Sequence, residues 1–335
     1  MRILVTGGSG FIGSNFLNMM VLRHPEHRFL NIDCLTYASH PDNILPEVER
    51  AENYSFAKID ITNVSAIESA VAAFCPDWVV HAAAESHVDR SIATPGLFVQ
   101  TNVCGTYNLL EACRNTWKRL DNKVFLHMST DEVYGELEDQ GYFTEDSPYR
   151  PSTPYAASKA SADHIIKVYG RTYGLPINIT NCTNNYGPNQ HIEKLIPRII
   201  SLALQESLLT VHGNGRLIRD WLHVSDHCEA IWLVLEHGER GKSYNIGGNS
   251  ERTNLEVITK ICEIVNLEKR IPCDELIAFV PNRAGNDKRY AIDFKFINES
   301  LGWSPKVSFD IGLLETVKWY LQRQYRLGTG SSNET

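Results

Sequence analysis

Short apolar runs alternate with amphipathic stretches through the first half of the chain. Six runs have the length expected of strands, at residues 3–6, 29–33, 55–59, 78–81, 124–128 and 177–180. Helical patterns separate most of them, and this alternation is typical of consecutive βαβ units. Strands this apolar suit a parallel sheet that helices cover on both faces. The pattern therefore predicts an α/β protein built on a Rossmann-like, doubly wound parallel sheet.

The second half of the chain has a looser pattern. After about residue 180, proline and glycine interrupt the alternation near residues 187–188, 213–215 and 247–248. We expect residues 1–180 and about 217–247 to form the Rossmann domain, because the chain should return to the sheet within the second range. Residues 181–216 and 248–325 are expected to form a smaller α/β lobe that binds the substrate. The polar residues 326–335 are predicted to be a flexible tail.

Composition narrows the class of partner. The chain has 335 residues, 43% of them hydrophobic, and a formal net charge of -8. This acidic balance argues against nucleic acid or an anionic membrane as the main partner and favours a small molecule. No apolar stretch approaches the ~18 residues of a membrane-spanning helix, and the first residues lack the pattern of a signal peptide. We therefore expect a cytoplasmic protein.

Cysteines and histidines give no metal signature. The eight cysteines are scattered without a C-x-x-C pair, and we expect them to be reduced. His81 and His87 flank a segment of small residues, but neither belongs to an H-E-x-x-H motif. No metal site is predicted from the sequence.

A glycine-rich segment follows the first predicted strand. Gly7, Gly10 and Gly13 have the spacing of a dinucleotide-binding loop, in which the backbone approaches a pyrophosphate at a helix N-terminus. Asp33 ends the second strand, where a carboxylate accepts bonds from a ribose hydroxyl and repels a 2′-phosphate. A tight turn without a ligand is the alternative, but the position between a strand and a helix favours a nucleotide. The predicted cofactor is NAD rather than NADP.

Other strand ends should lie beside this loop, because the carboxyl ends of parallel strands meet at one edge of a sheet. Asp60 and Ile61 follow the third strand, and the small residues 82–84 follow the fourth. Small side chains there allow the cofactor to approach the backbone. Asp60 also fits a simple helix cap, and that alternative stays open.

Tyr155 and Lys159 lie four residues apart on a predicted helix that Thr153 and Pro154 begin. This spacing puts both side chains on one face. The ammonium is expected to lower the pKa of the phenol and make it a base near neutral pH. Such a pair also occurs by chance on exposed helices, but its position after the fifth strand favours catalysis on a hydroxyl during hydride transfer.

Asp131 and Glu132 follow the fifth strand and indicate a second chemical task. Alcohol oxidation needs one base, whereas removal of water also needs a base for a carbon-bound proton and an acid for the leaving hydroxyl. Neighbouring carboxyls raise each other's proton affinity, which gives one acid and one base at pH 7. Both reach one substrate only if the strand ends at Ser129 or Thr130. Otherwise they are two solvated loop acids.

Two arginines of the second lobe are candidates for phosphate contact. Arg219 and Arg283 lie next to turn residues, and a guanidinium group binds phosphate oxygens through two parallel hydrogen bonds. Ordinary salt bridges to Asp220 and Asp287 are the alternative. The sequence leaves both possibilities open.

Eight segments together match one family. They read AESHVDRS at 84–91, STDEVYG at 129–135, YAASK at 155–159, NCTNNYGP at 181–188, EKLIP at 193–197, IRDW at 218–221, YNIGG at 244–248 and RYAID at 289–293. In these segments, which span nearly the whole chain, the sequence closely resembles the NAD-dependent nucleotide-sugar 4,6-dehydratases of the extended short-chain dehydrogenase/reductase group.

The resemblance implies a role for each catalytic residue. Tyr155 takes the proton of the sugar 4-hydroxyl while hydride leaves C4 for NAD, and Lys159 tunes the tyrosine and holds the nicotinamide ribose. Thr130 holds O4. Glu132 removes the C5 proton, and Asp131 protonates the departing C6 hydroxyl. Hydride then returns to C6, which gives a 4-keto-6-deoxy sugar nucleotide and regenerates NAD.

The motifs and the resemblance together imply two sets of binding residues. Contact with NAD is expected from Gly7, Gly10, Phe11, Ile12, Gly13, Asp33, Asp60, Ile61, Ala82, Ala83, Ala84, Ser86, Thr101, Tyr155, Lys159 and Asn185. Contact with the nucleotide sugar is expected from Ser86, His87, Thr130, Asn184, Lys194, Leu195, Thr210, His212, Arg219, Asn254, Arg283, Asn286 and Asp287.

Two segments depart from the thymidine-nucleotide enzymes of the family. Residues 283–287 read RAGND where RPGHD is common, and residues 210–212 read TVH where PIY is usual. Eukaryotic-type UDP-glucose 4,6-dehydratases resemble the chain at Asn286 and Asp287. Both differences lie on the nucleotide side, so the resemblance favours a thymidine nucleotide and leaves a uridine nucleotide open.

Two other classes of protein compete with a dehydratase. A nucleotide-sugar 4-epimerase or decarboxylase shares the cofactor, Tyr155 and Lys159, but has no need of Asp131 and Glu132. A catalytically silent NAD-binding regulator has no need of these four residues, Tyr155, Lys159, Asp131 and Glu132. The family resemblance also implies a homodimer that forms through two helices of each subunit.

Overall fold

The computed structural model of the protein describes residues 1–282 and 285–327. Within them the strands are β1 (Arg2–Thr6), β2 (Arg28–Asp33), β3 (Tyr54–Lys58), β4 (Trp78–His81), β5 (Val124–Thr130), β6 (Ile177–Cys182), β7 (Asn184–Tyr186), β8 (Leu209–His212), β9 (Ile218–His223), β10 (Ser243–Ile246), β11 (Glu251–Thr253) and β12 (Ile277–Val280). The α-helices are α1 (Phe11–Arg23), α2 (Pro46–Glu49), α3 (Val64–Phe74), α4 (Val88–Ala93), α5 (Pro95–Phe98), α6 (Thr106–Thr116), α7 (Pro154–Tyr173), α8 (Leu195–Leu204), α9 (Val224–His237), α10 (Asn254–Lys269), α11 (Lys295–Leu301) and α12 (Phe309–Leu327).

The main sheet has seven strands in the order β10-β6-β5-β4-β1-β2-β3. Each neighbouring pair in it is parallel. The direction of strand addition reverses between β1 and β4, because β2 and β3 continue to one side and β5 and β6 to the other. In such sheets, ligands bind at the carboxyl ends of the strands beside the reversal. The predicted fold class, a doubly wound Rossmann-like sheet, is confirmed.

Helices cover both faces of this sheet, and each face has its own apolar core. On one face, Phe16 of α1 and Trp232 of α9 pack with Val5 and other strand residues. On the opposite face, Leu4 packs with residues of α3 and α6 that include Leu109. Successive strand residues point to opposite faces, so each apolar run supplies both cores.

Two smaller sheets lie in the second half of the chain. Strands β11, β9 and β7 form one, and β12 pairs with β8 in the other. Helices α8, α10 and α12 surround a third core that includes Ile199, Ile258 and Leu313. The Arg289 guanidinium donates hydrogen bonds of 2.6 and 2.8 Å to the Glu251 carboxylate. This ion pair ties β11 to the segment that follows β12.

Element boundaries follow the sequence pattern closely. β5 continues beyond the predicted apolar run and ends at Thr130, which is one of the two end points that a shared site for Asp131 and Glu132 required. The chain returns to the main sheet as β10, which pairs with β6. Helix α12 runs to Leu327, and residues 328–335 of the predicted tail lie outside the described residues.

The cysteines are all within the described ranges, and none forms a disulfide. Burial raises the pKa of the Cys113 thiol, which keeps that thiol protonated. Across residues 1–282 and 285–327, no helix combines the length and the apolar character needed to cross a membrane.

Candidate active site

A cleft of about 350 Å³ opens at the carboxyl ends of β1, β4 and β5. It therefore lies where the direction of strand addition reverses, the usual ligand position in a doubly wound sheet. Its lining includes the glycine loop, Asp33, Tyr155, Lys159 and the two neighbouring carboxyls. Residues that the sequence indicated in separate motifs thus share one cavity.

Two glycines of the loop after β1 have no room for a side chain. Gly7 has φ +69°, and a Cβ there would lie 2.6 Å from the backbone nitrogen of Ala83. A Cβ on Gly13 would lie 2.3 Å from the carbonyl oxygen of Gly7. The loop thus packs closely against the segment after β4 and leads into α1, which begins at Phe11. The backbone amides of this helix start fit a pyrophosphate.

Asp33 is held beside the glycine loop at the end of β2. Its Oδ2 accepts a hydrogen bond from Ser9 N at 3.0 Å, and its Oδ1 accepts from Leu35 N at 2.7 Å and Ser39 Oγ at 3.1 Å. These bonds orient the carboxylate, which has room for about four hydrogen bonds in total. One acceptor position therefore remains for a ribose hydroxyl.

The remaining residues predicted to contact the cofactor also line the cleft. They come from the ends of β3 and β4, from the π-helical turn Val99–Gly105 and from β7. The amide of Asn185 is engaged within the protein, because Oδ1 pairs with His227 Nδ1 at 3.0 Å and Nδ2 donates to Thr183 O at 2.9 Å. The residues predicted to contact the cofactor that line the cleft, apart from the glycine loop, Asp33, Asn185, Tyr155 and Lys159, are Asp60, Ile61, Ala82, Ala83, Ala84, Ser86 and Thr101.

Helix α7 positions Tyr155 and Lys159. Thr153 caps the helix by accepting a hydrogen bond from Ala156 N at 3.1 Å, and a proline occupies the first turn. Lys159 Nζ donates to the carbonyl oxygen of Met128 at 2.6 Å and to His127 Nε2 at 3.1 Å. Strand β5 therefore fixes the ammonium at the wall of the cleft.

Burial shifts the pKa values of Tyr155 and Lys159 in opposite directions. Burial raises the pKa of Tyr155 well above its ordinary value, and the charge of Glu132 adds to that effect. Burial also lowers the pKa of Lys159 to about 8, while the charge of Asp163 opposes the change. Both of these shifts arise mainly from burial, and the expectation that the Lys159 ammonium lowers the pKa of the phenol stays a prediction.

The carboxyl pair follows β5 in a short turn. β5 ends at Thr130, and the backbone enters the 3-10 helix Asp131–Tyr134, which Thr130 caps by accepting a hydrogen bond from Glu132 N at 3.3 Å. The turn brings both carboxyl side chains to the same cleft. Asp131 is 2% exposed, and burial, followed by the charge of Glu132, raises its carboxyl pKa to about 8. Asp131 is therefore an acid at pH 7.

The predicted substrate residues fall into three groups. Ser86, Thr130, Asn184 and Lys194 line the cleft, where Lys194 Nζ donates to the carbonyl oxygen of Ser86 at 2.7 Å. Arg283 lies outside the described residues. The others are not part of the cleft lining: His87, Leu195, Thr210, His212, Arg219, Asn254, Asn286 and Asp287.

Arg219 is buried on β9 among carbonyl and amide groups. Its Nη2 donates to the carbonyl oxygen of Asp287 at 2.9 Å and to Asn286 Oδ1 at 3.2 Å. The guanidinium carbon lies 4.4 Å from the centroid of the Tyr290 ring. Asp220 accepts hydrogen bonds from the backbone nitrogens of residues 248 and 250. The contact of Arg219 with a phosphate stays a prediction.

Three polar residues of the cleft were missed by the sequence analysis. Glu85, Gln190 and Glu193 line the cavity, and each has a buried side-chain oxygen without a hydrogen-bond partner. Burial raises the pKa of Glu85. Buried oxygens of this kind cost free energy unless a ligand donates to them. Glu85 and Glu193 belong to the AESHVDRS and EKLIP motifs, which were available as signals, whereas Gln190 lies outside the family motifs.

One cluster away from the cleft brings together three potential metal ligands, His24, Glu26 and His27. The two imidazole rings are stacked, with centroids 5.6 Å apart and an angle of 10° between their planes. Nitrogen lone pairs lie in the ring plane, so those of stacked rings do not converge on one ion. The arrangement of these two rings therefore does not support a metal site at this cluster.

A family model described as GDP-mannose 4,6 dehydratase matches residues 4–316. The chain belongs to this family. The dTDP-glucose 4,6-dehydratase of Haemophilus influenzae is 50% identical over 335 residues, which cover 96% of this chain and 98% of that protein. The dTDP-glucose 4,6-dehydratase 1 of Escherichia coli is 46% identical over 337 residues, which cover 96% of this chain and 93% of that protein. The family predicted from the sequence motifs is confirmed.

Solved structures of similar proteins include dehydratases and epimerases. The dTDP-glucose 4,6-dehydratase of Streptomyces venezuelae, solved with NAD bound, has 41% sequence identity and a TM-score of 0.91, with coverage of 97% of this chain and 98% of that chain. The UDP-glucose 4-epimerase of Thermus thermophilus, in complex with NAD, has 30% identity and a TM-score of 0.85, with coverage of 96% and 99%. The fold is thus common to both activities, and the residues of the cleft must separate them.

Proposed function

We propose that the protein is a dTDP-glucose 4,6-dehydratase, which converts dTDP-glucose into dTDP-4-keto-6-deoxyglucose and water and regenerates its NAD in each turnover. The observation that carries the proposal is that Asp131 and Glu132 share one cleft with Tyr155 and Lys159. The 50% identity to the Haemophilus influenzae dehydratase supports it. A 4-epimerase needs the tyrosine and the lysine but not the carboxyl pair, so the pair argues against that alternative.

The residues around the glycine loop fit NAD. The close backbone approach at Gly7 and Gly13 leaves the start of α1 facing the cleft, and Asp33 has one acceptor position for a ribose hydroxyl. Small residues after β4 supply the wall beside the loop. When bound there, NAD would supply the acceptor for the hydride of the sugar C4 and, as NADH, the donor of that hydride to C6.

Tyr155 and Lys159 carry the first step in this proposal. Tyr155 takes the proton of the sugar 4-hydroxyl, and the hydroxyl of Thr130 hydrogen-bonds the phenol. The Lys159 ammonium stabilises the phenolate that must be present before the proton is taken. Tyr155 and Lys159 line the cleft that would hold the cofactor, and a bound nicotinamide cation would also favour the phenolate.

Asp131 and Glu132 carry the elimination. A ketone at C4 makes the neighbouring C5 proton acidic, and Glu132 takes that proton. Asp131 donates its proton to the C6 hydroxyl, which leaves as water. Glu132 then returns a proton to C5. The neutral form of Asp131 at pH 7, which follows from its raised pKa, suits it to the role of acid.

The proposed reaction leaves one proton on Tyr155 and removes one from Asp131 in each turnover. Both residues must return to their starting state before the next substrate reacts. Thr130 lies between them, because its Oγ1 is within 3.4 Å of Asp131 Oδ1 and also hydrogen-bonds the phenol of Tyr155. The threonine hydroxyl therefore gives the proton a short route from the tyrosine to the carboxyl.

The choice of thymidine over uridine rests on overall similarity. The Haemophilus influenzae and Escherichia coli relatives both carry the dTDP-glucose name. Asn286, where the family commonly has histidine, accepts a hydrogen bond from Arg219 and donates to Asn282 Oδ1 at 2.7 Å. His212 lies on β8, with Nδ1 3.2 Å from the carbonyl oxygen of Pro281. Both residues belong to the lobe that we assign to the nucleotide.

The substrate is tested by incubating the purified protein separately with dTDP-glucose and UDP-glucose and measuring the 4-keto-6-deoxy product. We expect a higher kcat/KM for dTDP-glucose and no free NADH in proportion to product. Asn286→His and His212→Tyr, which introduce the residues common in thymidine-nucleotide enzymes, should increase this preference. An equal or higher kcat/KM for UDP-glucose would reverse the base assignment. Free NADH that matched the product would instead indicate an ordinary dehydrogenase.

The elimination step is expected to slow as the pH rises above about 8. Asp131 donates a proton only in its neutral form, and its pKa of about 8 means that this form falls about tenfold per pH unit above that value. Rapid mixing separates the steps, because the decay of bound NADH follows elimination and its formation follows oxidation. A decay rate that stayed constant up to about pH 9 would contradict the role of Asp131 as the acid.

Three further features belong to the proposal. Residues 1–180 with about 217–247 form the NAD-binding domain, and residues 181–216 with 248–325 form the sugar-nucleotide lobe. The protein is a cytoplasmic homodimer that forms through two helices of each subunit. An exposed aromatic side chain on α6 supports the dimer, since Tyr107 is 47% exposed.

A further inference from the structure

A fully buried carboxylate lies one helical turn after the catalytic lysine. Asp163 follows Lys159 by four residues on α7, and its side chain is 0% exposed. Its Oδ2 accepts hydrogen bonds from Ser129 Oγ at 2.7 Å and from Tyr149 OH at 3.0 Å. Burial raises the pKa of this carboxyl, whereas the charge of Lys159 and the hydrogen bonds from Ser129 and Tyr149 lower it, so these partners favour the ionised form.

The other oxygen of Asp163 faces the lysine through a histidine. Oδ1 has no hydrogen-bond partner and lies 3.5 Å from His127 Nε2. The same nitrogen accepts the hydrogen bond from Lys159 Nζ at 3.1 Å. Burial, and then the charge of Lys159, holds the pKa of His127 well below its ordinary value, so the ring is neutral. The two charges that face each other are therefore those of Asp163 and Lys159.

Hydrogen bonding to two hydroxyls does not explain a charge at this position. The side-chain carbonyl of an asparagine accepts the same two bonds, and it avoids the free-energy cost of burying a carboxylate. A negative charge has an effect that asparagine lacks, since it stabilises the charged form of a nearby ammonium. The pKa of Lys159 is lowered to about 8 by burial, and Asp163 is the leading influence that raises it.

We propose that Asp163 is a positioning residue that keeps the Lys159 ammonium charged and thereby keeps a cation beside the Tyr155 phenolate. The neutral ring of His127 lies between the two charges and holds the ammonium in place. This inference rests on the proposed function in one respect, namely that Tyr155 is the base and Lys159 its partner.

The groups that face Lys159 come from β5, β6 and α7, with β4 behind. Burial raises the pKa of the Cys182 thiol to about 12 and lowers the pKa of His81 to about 3, so both are neutral at pH 7. Among the described groups that face Lys159, Asp163 is the one that supplies a negative charge. The full set is His127 on β5, Cys182 on β6, Tyr155 and Asp163 on α7, and His81, whose ring centroid lies 5.1 Å from that of His127.

The test measures the phenolate of Tyr155 in NAD-loaded protein, without a sugar. A pH titration follows the ultraviolet absorbance of tyrosinate. For each protein, the absorbance of the same protein carrying Tyr155→Phe is subtracted, so that the difference reports Tyr155. Asp163→Asn is expected to raise the midpoint by about one pH unit, so that tenfold less phenolate forms at a given pH. The reason is that Lys159 loses its proton more readily once the negative charge has gone.

A matched control separates this effect from a loss of stability. Asp226 is also buried, and its Oδ2 accepts two hydrogen bonds at 2.8 Å, from the backbone nitrogens of Lys306 and Val307. Asp226→Asn is expected to lower the Tm without moving the tyrosinate midpoint. Asp163→Glu, which retains the charge, is expected to keep the midpoint near that of the unaltered protein.

A double variant shows whether Asp163 acts through the lysine. Asp163→Asn combined with Lys159→Met should have the same midpoint as Lys159→Met alone. If Asp163→Asn fails to fold, Asp163→Ser is the second neutral variant and carries the same expectation. An unchanged midpoint in a folded neutral variant would overturn the proposal, and so would a further shift in the Lys159→Met background. Failure to turn over dTDP-glucose would refute the proposed function and leave this titration unaffected.

Discussion

Replacing Tyr155 by phenylalanine is expected to lower the turnover of dTDP-glucose by roughly 10⁴-fold, the upper end of the range for loss of a general base. Without the phenolate, no group takes the 4-hydroxyl proton, so no ketone forms at C4. The C5 proton then never becomes acidic, and every later step is lost with the first. In rapid mixing of the NAD-loaded variant with dTDP-glucose, no bound NADH should appear.

A second tyrosine on the same helix provides the control. Tyr173 lies at the end of α7, is half exposed and packs against Tyr169, with ring centroids 4.9 Å apart. It is not part of the cleft lining, so Tyr173→Phe should turn over substrate at the rate of the unaltered protein. Formation of bound NADH by the Tyr155→Phe variant at an undiminished rate would show that another group is the base.

The position of the site was predictable because short motifs determine it. The spacing of Gly7 and Gly13, and that of Tyr155 and Lys159, depend on a few neighbouring residues and on one strand or helix each. Parallel topology then brings the strand ends to one edge, so motifs that are distant in sequence meet in one cleft. Even the end of β5 followed from chemistry, because two adjacent carboxyls serve one substrate only if the strand stops before them.

Burial and long-range partners were not predictable in the same way. Asp163 on an amphipathic helix has the sequence signature of a surface acid, and only its contact with residues of β5 reveals a buried charge. The direction of the pKa shift of Tyr155 likewise depends on burial by several separate elements. The surroundings of Arg219 depend on loops that follow β12. Such features arise from tertiary packing, which local spacing does not encode.

Asp131→Asn and Glu132→Gln are expected to stop the reaction after oxidation at C4. Tyr155 is unchanged in both variants, so bound NADH should form in a single turnover. Elimination then lacks its acid in one variant and its base in the other, and each loss should slow it by roughly 10²–10⁴-fold. Bound NADH should therefore accumulate, which distinguishes both variants from Tyr155→Phe. Asp139→Asn, which alters an exposed acid of the following loop, is the control and should react normally.

The fate of two hydrogens separates the role of Glu132 from that of the cofactor. Glu132 exchanges its proton with water, so in deuterated water the product should carry solvent deuterium at C5. The hydrogen at C6 comes from C4, so deuterium placed at C4 of the sugar should appear at C6. Asp131 leaves no label in the sugar, because its proton departs with the water. Solvent-derived hydrogen at C6, or elimination at an undiminished rate in Glu132→Gln, would contradict a dehydration that uses this carboxyl pair as acid and base.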